Sequence, residues 1–399
     1  MSQIVKPTVA FGLIVAAAIG MAPAAFADEP APLKIGYVNG YSGPFAIFGQ
    51  EADAAIAAFM QEHGDVVAGR KIVILKRDTT GPNPDVVHRV AQELITRDHV
   101  EMILGGDYTP NALAMAGPST EAKVPVLIVN AATTSILDHA PYEVRFGFTT
   151  SQVAVPYGRW AVAHGYTKIF AIYTDYGPGL EAGAAFKKSF VEAGGTIVGE
   201  VKPPLRSPDY SAYVQRAKDS NPQAIFIFAP AGEHPQAFLK AYKDSGLKEA
   251  GVKILATGDL TDELQFDALG DDTLGMYTVF HYSEDHDSAL NHRFVQEFYK
   301  HAPPHVRPDF GGVCTYDVFQ ALYKVIEAQN GKLDPDKTIA LLKGMKFESP
   351  RGPIMIDQNR DIVQNVYVRE VRKVDGKLQN VEIDTVPWVD DHGNEVKTN

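Results

Sequence analysis

Residues Leu33–Lys76 read LKIGYV-NGYSGPF-AIFGQEADAAIAAFMQEH-GDVVAGR-KIVILK. The first and last runs are short, apolar and rich in β-branched residues, which is the composition of buried strands. Between them Ala54, Ala57, Ala58 and Phe59 recur at i, i+3, i+4 spacing, the mark of one buried helical face. A strand, a helix and a second strand in this order predict a βαβ unit with parallel strands. The pattern continues outward. Further strands are expected at Met102–Leu104, Val126–Val129, Lys168–Tyr173, Thr196–Val201, Ala224–Phe228, Lys253–Ala256 and Met276–Phe280. Helical stretches at Pro84–Arg97, Leu180–Ala193, Asp209–Asp219 and Pro235–Ser245 alternate with them. Parallel strands joined by helices need cover on both faces, so the fold class is α/β and doubly wound.

So many βα units exceed one modest sheet and predict two three-layer αβα lobes. The pattern breaks near Arg145–Gln152 (RFGFTTSQ), and a new series starts at Lys168. That series ends in the polar, His-rich stretch YSEDHDS, followed by two strong helices at Ala289–His301 and Gly312–Asn330. Gly352–Ile356 and Asn365–Val374 then read as two strands joined by an Asn359-Arg360-Asp361 turn. A hairpin cannot complete a parallel unit, so it is expected to edge the second lobe.

Composition narrows the function. The chain has 399 residues, 45% of them hydrophobic and 10% aromatic, which excludes wholesale disorder. With 49 Asp and Glu against 37 Lys and Arg the formal charge is −12, which argues against a nucleic-acid partner. One cysteine leaves no intrachain disulfide, so stability must come from a large core. Lys6, the apolar run Val9–Ile19 and Ala25-Phe26-Ala27 before Asp28 have the order of a secretory signal. Residues 1–27 are therefore expected to be cleaved after Ala27, leaving an exported, periplasmic protein. A membrane anchor is disfavoured, because the run is short and no stop-transfer charges follow.

Several segments together resemble one family. They are LKIGYVNGYSGPFAIFG at Leu33–Gly49, GRKIVILKRDTTGPNPDVV at Gly69–Val87, VPVLIVNAATT at Val124–Thr134, YTDYGPG at Tyr173–Gly179, PDYSAYVQRAKDSNPQAIFI at Pro208–Ile227 and SPRGPIMID at Ser349–Asp357. Their collinear order is similar to the type I periplasmic substrate-binding proteins of ABC importers, in the leucine/isoleucine/valine-binding family. The resemblance implies two lobes joined by a three-crossing hinge, with the crossings near Arg145–Gln152, Tyr277–Ser283 and Ser349–Gly352. Lobe one would then be residues 32–148 plus 284–348, and lobe two residues 149–283 plus 349–399. It also implies a ligand gripped between the lobes by hinge closure.

Ligands of open α/β sheets sit beyond the carboxyl ends of strands. Thr109-Pro110 reads as the cap and first residue of a helix, whose free N–H groups suit a carboxylate. The resemblance places the Thr109 hydroxyl on that carboxylate, and Ala131 and Thr133 beside it. Thr109 as a cap alone, and Thr133 bonded only within its turn, are the plainer readings. Phe48 and Tyr176 match ring positions on the two sides of the ligand, and Tyr41, Phe45, Tyr108 and Phe310 lie near the same rim. For Phe45 and Phe310 ordinary packing is at least as natural. Asp259 stands where the family's amino-acid binders carry a Glu for the ligand ammonium, and it equally suits a helix cap. Glu233 replaces an aromatic residue. These departures leave a branched-chain amino acid and an aromatic acid as competing ligands.

No Walker phosphate loop, HExxH helix, GxSxG elbow or G-x-G-x-x-G is present, so no cofactor and no catalytic role are expected. His281, His286 and His292 fit no zinc spacing and read as a solvated crossing, and Cys314 reads as a buried small hydrophobe. The expected role is the solute-binding component of an ABC importer. It would be a monomer, capture a small carboxylate and meet the membrane permease transiently. A soluble sensor of the same fold and an enzyme acting on a small acid are the alternatives.

Overall fold

The computed structural model describes residues 1–8, 30–206 and 209–397. Most of the leader, including its apolar run and the Ala25-Phe26-Ala27 site, lies outside the described residues. Among the described residues no helix is long and apolar enough to cross a membrane.

The first sheet holds β1 (Leu33–Asn39), β2 (Val66–Val67), β3 (Arg70–Asp78), β4 (Met102–Gly105), β5 (Val126–Ile128) and β6 (Glu143–Arg145). Their order is β2-β3-β1-β4-β5-β6, parallel throughout except for the short β2 edge. The second sheet starts with β7 (Lys168–Tyr173), β8 (Thr196–Val201), β9 (Ala224–Phe228), β10 (Lys253–Thr257) and β11 (Tyr277–Phe280), in the parallel order β8-β7-β9-β10-β11. The parallel strands of the two sheets share one winding. In each, the second strand sits outside the first and the rest follow on the other side, so each has a switch point beside its first strand.

The second sheet then changes character. Its antiparallel extension contains β12 (Lys346–Ser349), β13 (Gly352–Ile356), β14 (Ile362–Val374) and β15 (Lys377–Val389). The Asp375-Gly376 turn between β14 and β15 has φ of 49° and 82°, the doubly positive geometry that favours Asx-Gly in a tight hairpin. The hairpin is split between the two halves. Ile354, Ile356 and Ile362 pack into the core of the first half, whereas Val366 and Val368 pack into that of the second.

Both faces of the parallel part of each sheet are covered by helices. The first is covered by helices Ala46–His63 and Phe310–Ala328 on one side and by Pro84–Thr96 and Thr109–Ala122 on the other. Thr150–Ala163 and Gly177–Glu192 cover one face of the second, and Ser211–Asp219 and Glu233–Asp244 the other.

Three buried arginines brace the passages between the halves. Arg145 ends β6, pairs with Asp361 at 3.3 Å and donates to the Thr133 carbonyl at 2.8 Å. Arg351 donates to Asp317 and to the Phe146 and Gly147 carbonyls. Arg369, in β14, donates to the Tyr282 carbonyl and Thr278. A guanidinium offers five donors in a fixed fork, so Arg145 and Arg351 each satisfy several main-chain carbonyls at once, and Arg369 one carbonyl and a hydroxyl.

One expected feature of the second passage differs. His281 is not solvated: it is 1% exposed, stacked on Phe148 at 5.0 Å, with Nε2 3.6 Å from Sγ of the buried Cys314. His286 is half-buried against Glu382, and His292 is exposed. The apolar residues flanking His281 draw it inward, and burial pushes its pKa well down, keeping the ring neutral.

Candidate functional site

A cavity of about 60 Å³ lies where the carboxyl ends of the two sheets face each other. The first turn of helix Ala46–His63 supplies Phe48, the loop after β4 supplies Asp107 and Tyr108, and the helix that follows it starts with Thr109. The loop after β5 adds Asn130 to Ala132, and the first passage adds Phe148. From the second half come Tyr176 after β7, Phe228 and Pro230 after β9, and Asp259 after β10. Phe310 closes the floor, edge-on to Phe280 at 5.1 Å. Both switch points thus contribute, as the winding of the sheets requires.

Seven of the expected site residues line this cavity: Phe48, Tyr108, Thr109, Ala131, Tyr176, Asp259 and Phe310. Thr133 stands directly behind it, packed against Gly177 of the opposite half. Tyr41 does not reach the cavity; its hydroxyl donates to Asp53 and Lys76 lies over its ring. Glu233 is exposed in a wider groove of about 580 Å³ at the mouth, which also holds Phe45 and shares Phe48, Tyr108 and Pro230 with the inner cavity.

Thr109 is the first residue of its helix, and Tyr108 holds the cap position without a side-chain cap bond. The Thr109 hydroxyl therefore does not cap. It accepts the Thr133 N–H at 3.4 Å and donates to the Thr133 hydroxyl at 3.3 Å. The Ala131 N–H is committed to the Gly106 carbonyl at 2.8 Å, so Ala131 offers its small surface rather than a donor. Asp107 shapes the loop. Its carboxylate accepts from the Tyr108 N–H, Asn111 and Thr79, while burial pushes its pKa up to about 6.

Asp259 is not a cap either. It lies inside the short turn Gly258–Thr261, where Thr257 holds the cap position without a side-chain cap bond, and Asp262 caps the next turn through the Leu264 N–H. Asp259 is 7% exposed, and among the described residues its Oδ2 has no hydrogen-bond partner. Burial pushes its pKa up to about 6. The phenols of Tyr108 and Tyr176 are pushed upward too, first by their own burial and further by nearby acids that include Asp259.

The wall of the cavity carries Glu51, Asp107 and Asp259 but no Lys, Arg or His. Glu51 is spent on structure. Its Oε1 accepts the N–H groups of Asp309 and Gly312 at the start of helix Phe310–Ala328. A Cβ on Gly312 would fall 2.7 Å from that oxygen, so only glycine permits the approach. A bound anion must therefore rest on hydroxyls and the helix start at Thr109 rather than on a cation.

Sequence reasoning missed Phe148, Phe228 and Pro230. Phe228 is the last residue of β9, and Pro230 follows it. Their position at a strand's carboxyl end was the available signal. Phe148 is inward-facing only because of how the first passage is packed.

The fold and this cleft belong to one class of protein. The profile described as periplasmic binding protein matches residues 32–377, and the chain belongs to that family. It is 41% identical over 374 residues to Leu/Ile/Val-binding protein homolog 6 of Brucella melitensis, covering 93% of this chain and 95% of the relative. Two solved structures of ABC-transporter solute-binding proteins from Rhodopseudomonas palustris are similar throughout. The HaA2 protein, in complex with p-hydroxybenzoic acid, is 43% identical with a TM-score of 0.88, covering 91% of this chain and 98% of that one. The BisB5 protein, in complex with 3,4-dihydroxybenzoic acid, is 42% identical with a TM-score of 0.86, covering 90% and 98%.

Proposed function

We propose that this protein is the periplasmic solute-binding component of an ABC importer for small aromatic carboxylates. The observation that carries the reading is the cavity itself. Phe48, Tyr108, Phe148, Tyr176, Phe228 and Phe310 wall a small space whose polar edge on the first half is the helix start at Thr109. Flat rings packed on a flat ligand fill such a space well, and a branched aliphatic side chain less so. The hydroxybenzoate complexes of the R. palustris relatives support the same choice over a branched-chain amino acid.

The mechanism follows from the division of the site. Thr109 belongs to the first half, whereas Tyr176 and Asp259 belong to the second. Only a ligand touching both binds the closed form more tightly than the open one, and that difference drives closure. The moving bodies would be residues 32–148 with 284–348, and residues 149–283 with 349–399, except that the segment holding Ile354, Ile356 and Ile362 packs on the first half and would stay with it. The closed monomer is what the membrane permease would meet, after export and cleavage at Ala27. Catalysis has no place in this scheme, and the bound acid is expected to be recovered unchanged after prolonged incubation.

Thermal shift on ligand-free protein tests the reading. At 100 times its Kd a ligand stabilises by about 2.7 kcal/mol. Benzoate and hydroxybenzoates are expected to raise the melting temperature by several degrees, with leucine giving no shift. A response to leucine alone would reject the aromatic reading. The Thr109→Val variant is expected to bind every ring carboxylate about tenfold more weakly by calorimetry, because one hydroxyl donor is lost from the anion. Unchanged affinity would remove Thr109 from the carboxylate site.

A further inference from the structure

We propose that Asp259 selects ligands bearing a hydroxyl on the ring, by accepting that O–H at Oδ2. The inference rests on the aromatic-carboxylate reading and adds the residue that discriminates within that class. Four observations converge on it. Asp259 lines the cavity from the second half, and Thr109 lines it from the first. Its side chain is buried, yet among the described residues Oδ2 has no partner within hydrogen-bond distance, the buried Thr257 hydroxyl beside it being unpartnered too, while Glu51 Oε1 and both oxygens of Asp107 are occupied by N–H and O–H donors. Asn130, which also lines the cavity, leaves its buried Oδ1 unpartnered. Among the described residues the wall therefore holds two buried acceptors without donors and no Lys, Arg or His to satisfy them.

Chemistry makes the ligand the missing donor. A buried acceptor left bare in the complex is penalised, so a ring without a donor is rejected relative to one that carries it. A phenolic O–H supplies one neutral donor in the plane of a ring already held by aromatic walls. A second hydroxyl beside the first would give a donor to Asn130 as well. An ammonium also carries donors. On an α-amino acid, however, it is bonded to the carbon next to the carboxylate, and its full charge needs more acceptors than this apolar space offers.

Calorimetry on the full chain provides the test, with benzoate, 4-hydroxybenzoate, 4-methoxybenzoate and phenylalanine as probes. The parent protein is expected to bind 4-hydroxybenzoate ten- to a hundredfold more tightly than benzoate or 4-methoxybenzoate. In Asp259→Leu that preference should shrink to within about threefold, chiefly by loss of the hydroxylated ligand. Benzoate binding is retained, which also reports that the variant is folded. Asp259→Asn, which keeps an acceptor oxygen, should retain part of the preference. A preference that survives in Asp259→Leu, or a parent that does not distinguish the two benzoates, overturns the role of Asp259 and leaves the aromatic-carboxylate reading standing. Binding of phenylalanine but of no benzoate overturns both.

Discussion

Arg351→Ala is expected to lower the unfolding free energy by about 3–5 kcal/mol, read from a urea transition. The side chain is fully buried, and its Nε donates to Asp317 Oδ2 at 2.9 Å. Its terminal nitrogens donate to the Phe146 and Gly147 carbonyls. It thus ties the third passage to the first and to helix Phe310–Ala328. Truncation strands Asp317 and the Phe146 carbonyl in the interior, while the Gly147 carbonyl keeps the Gln364 side-chain amide at 2.9 Å. Asp317 keeps only the Ser349 hydroxyl at 2.8 Å, and burial already pushes its pKa up to about 6. Such a loss is a large fraction of the whole stability of a domain. The double variant Arg351→Met with Asp317→Asn should recover part of it, because no uncompensated charge remains. A midpoint for Arg351→Ala within about 1 kcal/mol of the parent would contradict this assignment.

Raising the pH from 7 to 9 is expected to destabilise the protein, through Glu143, which burial pushes up to about 8, and through Glu51, Glu263 and Asp309 of a four-acid cluster buried where the halves meet beside the cavity. Asp309 accepts the Glu263 N–H at 2.9 Å, Glu51 accepts the Asp309 N–H at 2.9 Å, and Asp262 adjoins them in sequence. The positive group facing the cluster is Arg369, whose Nη1 is 3.9 Å from Glu263, and Arg307 lies further off. Burial, then the neighbouring acids, hold Glu51, Glu263 and Asp309 far above the ordinary carboxylate range. Asp262 is pushed up to about 6.

A carboxyl with a raised folded pKa stays protonated in the fold while its unfolded counterpart has ionised near pH 4. The fold then binds more protons than the unfolded chain, so stability falls with rising pH until the folded pKa is passed. The buried histidines His234 and His281 have lowered pKa values and oppose this trend only below about pH 6.5, outside the chosen window. Asp262→Asn keeps the acceptor for the Leu264 N–H and removes one charge from the cluster. Because Asp262 has already ionised by pH 7, the change should raise stability by about 2 kcal/mol at both pH 7 and pH 9. Equal melting temperatures at pH 7 and pH 9 would refute the raised values.

The parallel core of both sheets was legible because burial on two faces demands continuous apolar runs, which Lys168–Tyr173 and Ala224–Phe228 supply. Shorter or more polar elements were not. Glu143–Arg145 is a three-residue strand made partly of charged residues, buried only because Arg145 reaches Asp361. Lys377–Val389 is half-exposed and carries little apolar alternation, although the Asp375-Gly376 turn announced it. Within the site, Thr109 and Asp259 each suited a cap from sequence, since Thr and Asp both cap well. Only the position of each residue within its turn separates capping from the roles found, a hydroxyl bonded to Thr133 and a carboxyl facing the cavity.

What the linear chain determined by itself is the alternation of strands and helices, the doubling into two wound sheets, and the loops at their carboxyl ends that carry the candidate ligand residues. These depend on local periodicity, which each segment expresses without its neighbours. Tertiary structure alone decided which loop residues meet, that Tyr41 and Glu233 stand outside the cavity, and that Arg145, Arg351 and Arg369 are buried at the passages. Among the described residues it also left Asp259 Oδ2 without a partner. Those outcomes depend on partners beyond the reach of local periodicity, 205 residues apart for Arg351 and Phe146, and on the low-dielectric space that exists only once both halves have packed.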